Sequence, residues 1–339
     1  MIKILMTGAG APGGPGVLRC LEKCKNYEVV TADANEISSG KYLSKNFIKI
    51  PMATDKNFIE KILDLCINLN IKVIFPLVTK ELFLFSENLE LFSNQGIRII
   101  VSKYNDLLIA NNKSSLYKHL QSKNISVPKF RVVKNFNEFV DVTESKTFNK
   151  EYCMKPSISN GSRGVRLVKN EINELDLLFN HKPNNIYTTH NDLKRILKND
   201  NFPELLISEI LPGDEYTIDV LVCNEKPIII LPRIRTKTNS GISVAGKFKN
   251  NIKIIEYSKQ VINSMRLDGP IGIQVKEDDN GEFKILEINP RIQGTSVAAL
   301  GCGINLPVLA VKNVLEEEIT LPEIKWDTSF IRYYNEVYF

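Results

Sequence analysis

The spacing of apolar and polar residues divides the chain into two kinds of sequence. In the first hundred residues, short continuous apolar runs such as KVIFPLV and GIRIIVS alternate with amphipathic stretches. The stretch DKNFIEKILDLCINLN carries its apolar side chains at helical spacing. Continuous apolar runs are typical of parallel strands buried on both faces. The alternation of such strands with helices predicts a doubly wound α/β domain.

The pattern changes after Asn105, where a helical stretch leads into mixed strands and helices. From about residue 205, long β-rich runs follow one another with short turns: ELLISEI, EYTIDVLV, KPIIILPRIR, GPIGIQVKED and EFKILEINP. Strands joined by short turns predict an antiparallel sheet. The predicted fold class is therefore α/β and α+β, a doubly wound parallel sheet followed by a larger region with an antiparallel sheet.

Composition narrows the classes of protein to consider. A chain of 339 residues suits two or three domains, and 43% apolar residues are typical of a globular protein. No apolar run approaches the roughly 20 residues that cross a bilayer, and the N-terminus lacks the pattern of a signal peptide. A net charge of +5 suits anionic ligands but is too diffuse to predict nucleic-acid binding.

The cysteines and histidines give little sign of disulfides or a zinc site. Six cysteines are scattered without a C-x-x-C pair, and the three histidines have no metal-binding spacing. Unpaired thiols are typical of a reducing compartment. We therefore expect a cytoplasmic protein without a membrane or nucleic-acid partner.

The N-terminal stretch TGAGAPGGPG raises the first functional hypothesis. Gly8, Gly10 and Gly13 form G-x-G-x-x-G after a strand-like run, and Asp33 ends the next such run twenty residues beyond Gly13. This arrangement is typical of a dinucleotide site, with glycines at a helix N-terminus and an acid for a ribose. A single G-x-G-x-x-G is a weak signal, so NAD binding stays open at this point.

Three later stretches carry further polar groups at strand ends. In YCMKPSISNGSRGVRLV, a strand ends in Lys155 and a loop of small polar residues leads to Gly164. Such a loop can offer backbone N–H groups to a phosphate, and Lys155 would add a charge. A plain surface hairpin is the alternative interpretation.

The second stretch is LLISEILPGDEYTIDVLV, in which a strand ends at Glu209 and resumes after Pro212-Gly213. The functional hypothesis is that Glu209 and the backbone after it hold an adenine edge and that Glu215 holds ribose hydroxyls. Alternation of polar and apolar residues in the second strand also fits any strand with one solvated face.

The third stretch is GIQVKEDDNGEFKILEINPR, where Asn280-Gly281 predicts a two-residue hairpin turn. With that turn, Gln274 lies opposite Glu287, and Asn289 shares the face of Glu287. Oxygen ligands of this kind suit Mg²⁺ whose remaining ligands are water and phosphates. Polar residues on a solvated sheet face are the alternative.

These three stretches, in this order, resemble the ATP-grasp superfamily, and the resemblance covers most of the chain. It implies a preATP-grasp domain over residues 1–110, a small lid-bearing subdomain over 111–204, a C-terminal subdomain over 205–320 and a tail over 321–339. It also implies ATP with Mg²⁺ or Mn²⁺, bound between the last two subdomains.

The resemblance assigns roles to individual residues. The stretch ANNKSSLYKHLQSKNISVPKF looks like the segment in which Lys113 would contact phosphates, although many relatives have Asp where this chain has Asn112. The implied nucleotide-binding residues are Lys113, Lys155, Ser159, Gly161, Gly164, Glu209, Ile210, Leu211 and Glu215, and the implied metal ligands are Gln274, Glu287 and Asn289. Gln274 and the stretch TGAGAPGGPG are similar to the large subunit of carbamoyl-phosphate synthase.

In the family the first-domain turn faces the substrate side of the cleft, so Gly10 and Gly13 are interpreted as substrate residues rather than as an NAD site. Arg233, Arg235 and Arg291 are candidates for binding anionic parts of a substrate. The implied reaction is phosphorylation of a carboxylate by Mg-ATP to an acyl phosphate, with Lys155 and Arg291 as catalytic residues. An amine, a thiol or another nucleophile would then displace phosphate.

One ATP-grasp region alone cannot run the two phosphorylations of a carbamoyl-phosphate synthase, so the resemblance predicts a stand-alone, ADP-forming ligase. Its expected partners are a small-molecule carboxylate and a nucleophile, and a homodimer stays open. Two alternatives are kept: an NAD-dependent oxidoreductase that uses the N-terminal turn, and a non-catalytic ATP-binding subunit of a partner enzyme.

Overall fold

The computed structural model describes residues 1–159, 161–182, 186–198, 201–239 and 241–339. The chain forms two compact units. The large unit comprises Met1–Ala110, Glu215–Gln274 and Ile288–Phe339, and the small unit comprises Asn111–Asp214 and Val275–Glu287.

The first 110 residues form a five-stranded parallel sheet in the order β3-β2-β1-β4-β5. Its strands are β1 (Ile2–Thr7), β2 (Tyr27–Asp33), β3 (Phe47–Lys49), β4 (Val73–Pro76) and β5 (Arg98–Ile99). The helices are α1 (Gly14–Glu22), α2 (Ser39–Leu43), α3 (Phe58–Asn68), α4 (Thr79–Glu87), α5 (Leu89–Ser93) and α6 (Tyr104–Asn111).

The central strand β1 is buried on both faces, which is why its sequence is a continuous apolar run. Ile4 and Met6 join one core cluster, whereas Leu5 joins another that includes α3. The predicted doubly wound parallel sheet is confirmed.

The small unit is built on a second five-stranded sheet, in the order β6-β10-β7-β8-β9. Its elements are α7 (Lys113–Ser122), β6 (Phe130–Val133), α8 (Phe136–Thr143), β7 (Tyr152–Pro156), β8 (Arg166–Val168), α9 (Glu174–Asn180), β9 (Tyr187–Thr188), α10 (His190–Leu197) and β10 (Leu205–Ser208). Strands β6, β10, β7 and β8 pair antiparallel. A core that includes Phe139, Tyr152 and Leu205 fills this sheet's covered face.

The last part of the chain forms a six-stranded sheet in the order β15-β14-β11-β12-β13-β16. Its elements are β11 (Glu215–Cys223), β12 (Lys226–Asn239), β13 (Ile242–Phe248), α11 (Ile252–Asn263), β14 (Gly269–Glu277), β15 (Phe283–Asn289), a 3₁₀ helix (Ser296–Cys302), α12 (Leu306–Val314) and β16 (Ser329–Ile331). The pairings β11–β12, β12–β13 and β13–β16 are antiparallel, as the sequence predicts.

One core cluster holds the large unit together although its residues are far apart in sequence. Ile4 and Met6 of β1 share this cluster with Leu221 of β11 and with Leu309 and Val311 of α12. The N-terminal parallel sheet and the later strands are thus packed around common apolar side chains.

The turn between β14 and β15 differs from the predicted two-residue turn. Asp278 N–H donates to Glu282 O (2.9 Å), and Gly281 N–H donates to Asp278 O (3.1 Å). Gly281 has a φ of 75°, so the loop has three residues and ends in a left-handed glycine. The Asp278 carboxylate accepts the N–H groups of Asn280 and Glu282, which favours this loop over the turn that Asn280-Gly281 alone predicts.

The three-residue loop moves the register at the turn by one residue, and the burial pattern of β15 then changes phase. Phe283 and Ile285 are buried, but the next buried side chain is Ile288, three residues further on. Glu287 and Asn289 flank Ile288 on the less buried side of the strand. They therefore share a face of β15, as the sequence analysis expects.

Within the described ranges, no single helix is long and apolar enough to cross a membrane. One sharply bent pair, Ser296–Cys302 with Leu306–Val314, meets the length and composition only when its two short helices are taken together.

Candidate functional site

Lys113 is a buried lysine at the start of α7 in the small unit. Asn112 caps this helix by accepting the N–H of Ser115 (2.9 Å), which fixes the position of Lys113. The Lys113 side chain is only 6% exposed, and its Nζ lies 3.2 Å from Glu287 Oε2. The same ammonium donates to the backbone oxygen of Ser159 (3.1 Å). A predicted phosphate-binding lysine and a predicted metal ligand are thus ion-paired.

The start of the polar loop after β7 is held by hydrogen bonds. Ser157 O accepts the N–H of Lys113 (2.8 Å), and Ser157 N–H donates to Glu204 O (2.9 Å). The hydroxyl groups of Ser114 and Ser157 lie 2.5 Å apart. Ser159 lies two residues further on, where its carbonyl accepts a hydrogen bond from Lys113 Nζ.

Further along this loop, two positions have a backbone conformation that favours glycine. Gly161 and Gly164 have φ values of 63° and 75°. A Cβ at Gly164 would lie 2.6 Å from Cγ of Pro156. Asn160, which falls within the predicted phosphate loop, lies outside the described residues.

Lys155 lies on β7 opposite Leu206 of β10 and is 8% exposed. Its charge acts on Tyr117, a fully buried side chain of α7. Burial raises the pKa of Tyr117 to about 12; Lys155 opposes this rise, while the charges of Glu287 and Glu209 add to it. The small unit therefore brings Lys113, Lys155, Glu209 and Glu287 into one electrostatic neighbourhood.

Tyr117 links the helix of Lys113 to the strand of Glu287. Its hydroxyl donates to Ile285 O at 2.8 Å, and its ring stands edge-on to Phe130. This hydrogen bond therefore connects α7 to β15 within the small unit. The sequence gives no motif for Tyr117, so its role as a support was not predicted.

Glu209 follows β10 and pairs with the backbone of Lys129. Its carboxylate accepts the Lys129 N–H (2.9 Å), and its own N–H donates to Lys129 O (3.0 Å). Leu211 is buried and Ile210 is partly buried. The predicted contact of this segment with adenine stays a prediction.

In the large unit, Glu215 and Arg235 form an ion pair with each other. Arg235 Nε also donates to Ser243 Oγ (3.1 Å), and its Nη2 donates to Gly241 O (2.6 Å). The predicted ribose contact of Glu215 and the predicted anion contact of Arg235 must both compete with this pair.

Arg233 is also ion-paired, but it lies much deeper. Its Nε donates to Asp219 Oδ2 at 2.8 Å, and both side chains are almost completely buried. The second oxygen of Asp219 accepts the hydroxyl of Ser296 (2.5 Å). Arg233 is thus fixed by a carboxylate that is itself held in place.

Arg291 leaves β15 and contacts the N-terminal region of the large unit. Its Nε donates to Thr79 Oγ1 (3.1 Å) at the start of α4, and its Nη1 donates to Ile292 O (2.7 Å). The predicted metal ligands Gln274 and Asn289 belong to the large unit, whereas Glu287 belongs to the small unit. Their joint coordination of a metal stays a prediction.

The N-terminal glycine turn is shaped by close backbone contacts. Gly10 N–H donates to Asp33 Oδ2 (2.7 Å), and a Cβ at Gly10 would lie 2.9 Å from Cβ of Ser38. A Cβ at Gly13 would lie 2.9 Å from Cα of Gly294. The turn therefore lies against the segment that follows Arg291, a placement compatible with the predicted substrate role of Gly10 and Gly13.

Sequence reasoning missed Glu81, a buried carboxyl group in the first turn of α4. It accepts a hydrogen bond from Thr7 Oγ1 (2.5 Å), at the carboxyl end of β1. Burial raises the pKa of Glu81 to about 7; the hydrogen bond from Thr7 opposes this rise, and the charge of Asp33 adds to it. Ligand sites of open parallel sheets lie at this edge, which is the signal that could have found Glu81.

Among the described residues, no group of three or more His, Cys, Asp or Glu side chains is arranged to hold a metal ion. The set Gln274, Glu287 and Asn289 contains one carboxylate and two amides. Any divalent cation held by this set would need further negative charge from a bound molecule that is not part of the protein.

Two family models match the chain. One is described as ATP-grasp in the biosynthetic pathway with Ter operon and matches residues 201–334. The other is described as the PylC-like N-terminal domain and matches residues 4–100. No curated protein shows significant sequence similarity to the chain.

Several solved structures share the fold along nearly the whole chain. N5-carboxyaminoimidazole ribonucleotide synthetase in complex with ADP has a TM-score of 0.74 at 13% identity, covering 97% of this chain and 80% of its own. The Staphylococcus aureus N5-carboxyaminoimidazole synthetase complexed with ADP has a TM-score of 0.69 at 17% identity, covering 95% of this chain and 79% of its own. The L-amino acid ligase from Bacillus licheniformis has a TM-score of 0.68 at 13% identity, covering 93% of this chain and 74% of its own. At such identities the likeness concerns the fold, and it confirms the predicted fold class.

Proposed function

This chain belongs to the ATP-grasp superfamily, and from this premise we propose that it is an ATP-dependent, ADP-forming carboxylate ligase. The observation that carries the proposal is the ion pair of the buried Lys113 with Glu287 in the small unit, together with a second buried lysine, Lys155, on β7 of the same unit. Burial of an ammonium group is costly unless an anion accompanies it. Nucleotide phosphates are anions of suitable charge for two such lysines.

The residues of the small unit fit a Mg-nucleotide by charge. Lys113 is neutralised by Glu287. With Mg-nucleotide bound, a phosphate would become the ion-pair partner of Lys113, and Mg²⁺ would become the partner of Glu287. Gln274 and Asn289 would supply the remaining protein oxygens. Bound Mg²⁺, or Mn²⁺ in its place, would neutralise charge on the phosphoryl group during its transfer.

The proposed chemistry has two steps. A carboxylate oxygen of the substrate attacks the γ-phosphorus of ATP, and the bond from that phosphorus to the β,γ-bridging oxygen breaks, releasing ADP. A nucleophile then attacks the acyl carbon, phosphate leaves, and the nucleophile loses its proton. In this scheme Lys155 holds a phosphate oxygen, and Arg291 orients the carboxylate.

We further propose that the nucleophile is an amine. This choice is supported by the shared fold with an L-amino acid ligase, because an amino acid carries both a carboxylate and an amine. The family models and structures named above include no NAD-dependent oxidoreductase, and neither they nor the site favours a non-catalytic subunit. A cytoplasmic location remains our proposal from the pattern of cysteines.

The test is a screen for ADP release by the purified protein over pairs of carboxylates and amines with Mg-ATP. We expect at least one pair to stimulate release. Lys155→Ala should weaken Mg-ATP binding about tenfold or more, because it removes charge-assisted hydrogen bonds worth about 1.5–3 kcal/mol. Lys146→Ala, at an exposed position of the same unit, is the matched control. Unchanged Mg-ATP affinity in a folded Lys155→Ala protein would contradict the assigned role.

A further inference from the structure

The large unit contains a cavity of about 320 Å³ that is lined by β5, α5, α12 and the start of β14. Its volume falls within the range of about 300–1,000 Å³ that is typical of small-molecule sites. Strand β5 is the edge of the parallel sheet and is separated from β1 by β4. The described residues that line the cavity include none of those assigned to nucleotide, metal or substrate.

Asp268, just before β14, contributes a half-buried carboxylate to this cavity. Its Oδ1 accepts the N–H of Gly269 (2.7 Å) and a hydrogen bond from Asn313 Nδ2 (3.0 Å). Its backbone N–H donates to Ser102 Oγ (2.9 Å), and the Ser102 hydroxyl donates to Asp268 O (2.9 Å). Its Oδ2 accepts no hydrogen bond from the described residues. The carboxylate is therefore fixed in place with one oxygen left for another donor.

Asn313 of α12 contributes a second oxygen of the same kind. Its Nδ2 donates both to Asp268 Oδ1 and to Val222 O (3.4 Å). These two contacts use both amide hydrogens and so fix the orientation of the amide group. Asn313 Oδ1 accepts no hydrogen bond from the described part of the chain. Two adjacent side chains of the lining thus each have an acceptor oxygen and lack a donor for it.

The charges of the lining favour a cation. Three carboxylates, those of Asp268, Glu90 and Glu316, face one guanidinium, that of Arg98. Burial raises the pKa of Asp268, and the charge of Glu225 adds to the rise, against the opposing effects of Gly269, Asn313 and Lys103. Lys103 is itself paired with Glu225 (2.6 Å). A positive charge next to Asp268 would therefore relieve the cost of burying its carboxylate.

The remaining walls of the cavity are apolar, which favours an organic cation over a metal ion. No group of three or more His, Cys, Asp or Glu side chains in the described ranges is arranged to hold a metal. Aliphatic side chains from β5, from the residues next to it and from α12 complete the lining: Ile97, Ile99, Ile100, Ala310 and Val314. Such walls suit a short hydrocarbon chain.

We propose that this cavity binds a small molecule with a primary ammonium group on a short apolar chain. An ammonium group has three N–H donors, so it can donate to Asp268 Oδ2 and to Asn313 Oδ1 together. Its chain would lie against the aliphatic walls. This second site goes beyond the proposed function and does not rest on it, because its lining shares no residue with the assigned ligase site.

The experiment is a melting-temperature titration with butylammonium chloride at neutral pH and constant ionic strength, without nucleotide. Two other probes separate the features of the ligand: 1-butanol has the chain without the charge, and tetramethylammonium has the charge without N–H donors. A ligand that binds only the folded state raises its stability by mass action. We expect a saturable rise with butylammonium and none with the other two probes. Saturation-transfer NMR of the butyl protons measures the same binding directly.

Asp268→Asn tests the carboxylate, because it retains an oxygen for Gly269 and Asn313 and removes the charge. We expect binding to weaken about tenfold or more, since a charge-assisted hydrogen bond is lost. Asp64→Asn, at an exposed position of α3, is the matched control and should bind like the wild type. Val314→Phe retains Asp268 but fills the cavity, so it should also weaken binding.

Four outcomes would overturn the proposal. One is the absence of saturable binding of butylammonium, and another is binding of 1-butanol or tetramethylammonium with equal affinity. The third is unchanged binding in a folded Asp268→Asn protein, and the fourth is unchanged binding in a folded Val314→Phe protein. Because no nucleotide is present, failure here leaves the ligase hypothesis standing, and failure of Mg-ATP binding leaves this site standing.

Discussion

Both units pair a buried cation with a carboxylate, Lys113 with Glu287 and Arg233 with Asp219, but they differ in the contacts that remain unmade. In the small unit, Lys113 is paired with Glu287 and with the carbonyl of Ser159. In the large unit, Arg233 and Gln293 retain buried donors without a partner among the described residues. A ligand that binds Lys113 would therefore displace its contacts with Glu287 and Ser159. An acceptor at Arg233 or Gln293 would instead complete a hydrogen bond that the described residues leave unmade. We expect binding at Lys113 to change when Glu287 is replaced, and binding at Arg233 or Gln293 to change when these donors are replaced.

The largest expected effect comes from Glu287→Gln, which breaks the internal pairing of the small unit. We expect Mg²⁺-dependent ADP release to fall by two orders of magnitude or more, because the one carboxylate of the proposed metal set is lost. The measurement is ADP release with an active substrate pair over a range of Mg²⁺ concentrations. Glu282→Gln, an exposed change on the same hairpin, is the control. Full Mg²⁺-dependent activity in Glu287→Gln would make Glu287 an ordinary strand residue.

Arg291→Ala tests the large unit separately from the small unit, because it leaves Lys113 and Lys155 of the small unit in place. We expect Mg-ATP affinity within about twofold of the wild type and substrate-stimulated ADP release reduced about a hundredfold, equivalent to about 2.7 kcal/mol in the transition state. Binding is measured by titration and turnover by ADP release. Arg19→Ala, at an exposed position of α1, is the matched change. A proportional loss of both quantities would contradict the assignment of Arg291 to the substrate carboxylate.

The third prediction concerns stability rather than turnover, through Glu81 and its dependence on pH. Its pKa is raised from 4.5 to about 7 in the folded chain, so the folded state favours the protonated form. Stability from this group is therefore greatest below about pH 4.5, falls as the pH rises to about 7, and then levels off. Glu81→Gln retains an acceptor for Thr7 and removes this fall.

The corresponding measurement is the difference in unfolding free energy between Glu81→Gln and wild type at pH 4.5 and pH 8. At pH 8 the variant should be more stable by on the order of 3 kcal/mol, since one pKa unit corresponds to about 1.4 kcal/mol. At pH 4.5 the difference should be much smaller. Glu90→Gln, an exposed change in α5, should show no such pH dependence. An equal difference at both pH values would refute the raised pKa.

The parts of the fold that could be predicted were those encoded in local patterns. The continuous apolar sequence of β1 indicates burial on both faces, and Ile4 and Leu5 do join different core clusters. The hairpin turn was predicted wrongly because the preference of Asn280-Gly281 for a two-residue turn was weighed alone. The Asp278 carboxylate adds two hydrogen bonds that select a longer loop.

The candidate site was predictable only where residues follow a strand in a recognisable order. Lys113, Lys155 and Glu287 were proposed from such positions; the structure pairs Lys113 with Glu287, and the roles of all three at a nucleotide stay predictions. The partnership of Arg233 with Asp219 depends on the register of β11 and β12, which the sequence does not specify. Arg332 is brought to Pro12 by contacts across most of the chain, and no local pattern indicates such a contact.

The shared core of the large unit also constrains how the chain acquires its structure during synthesis. Ile4 and Met6 pack with Leu309 and Val311, so the first sheet cannot complete its core until some two hundred further residues have left the ribosome. At about 5–20 residues per second, that interval is roughly 10–40 s. During this time the nascent sheet exposes apolar surface, and we expect it to depend on chaperones. Ribosome-bound chains halted before and after residue 311 should differ sharply in protease resistance of the first hundred residues.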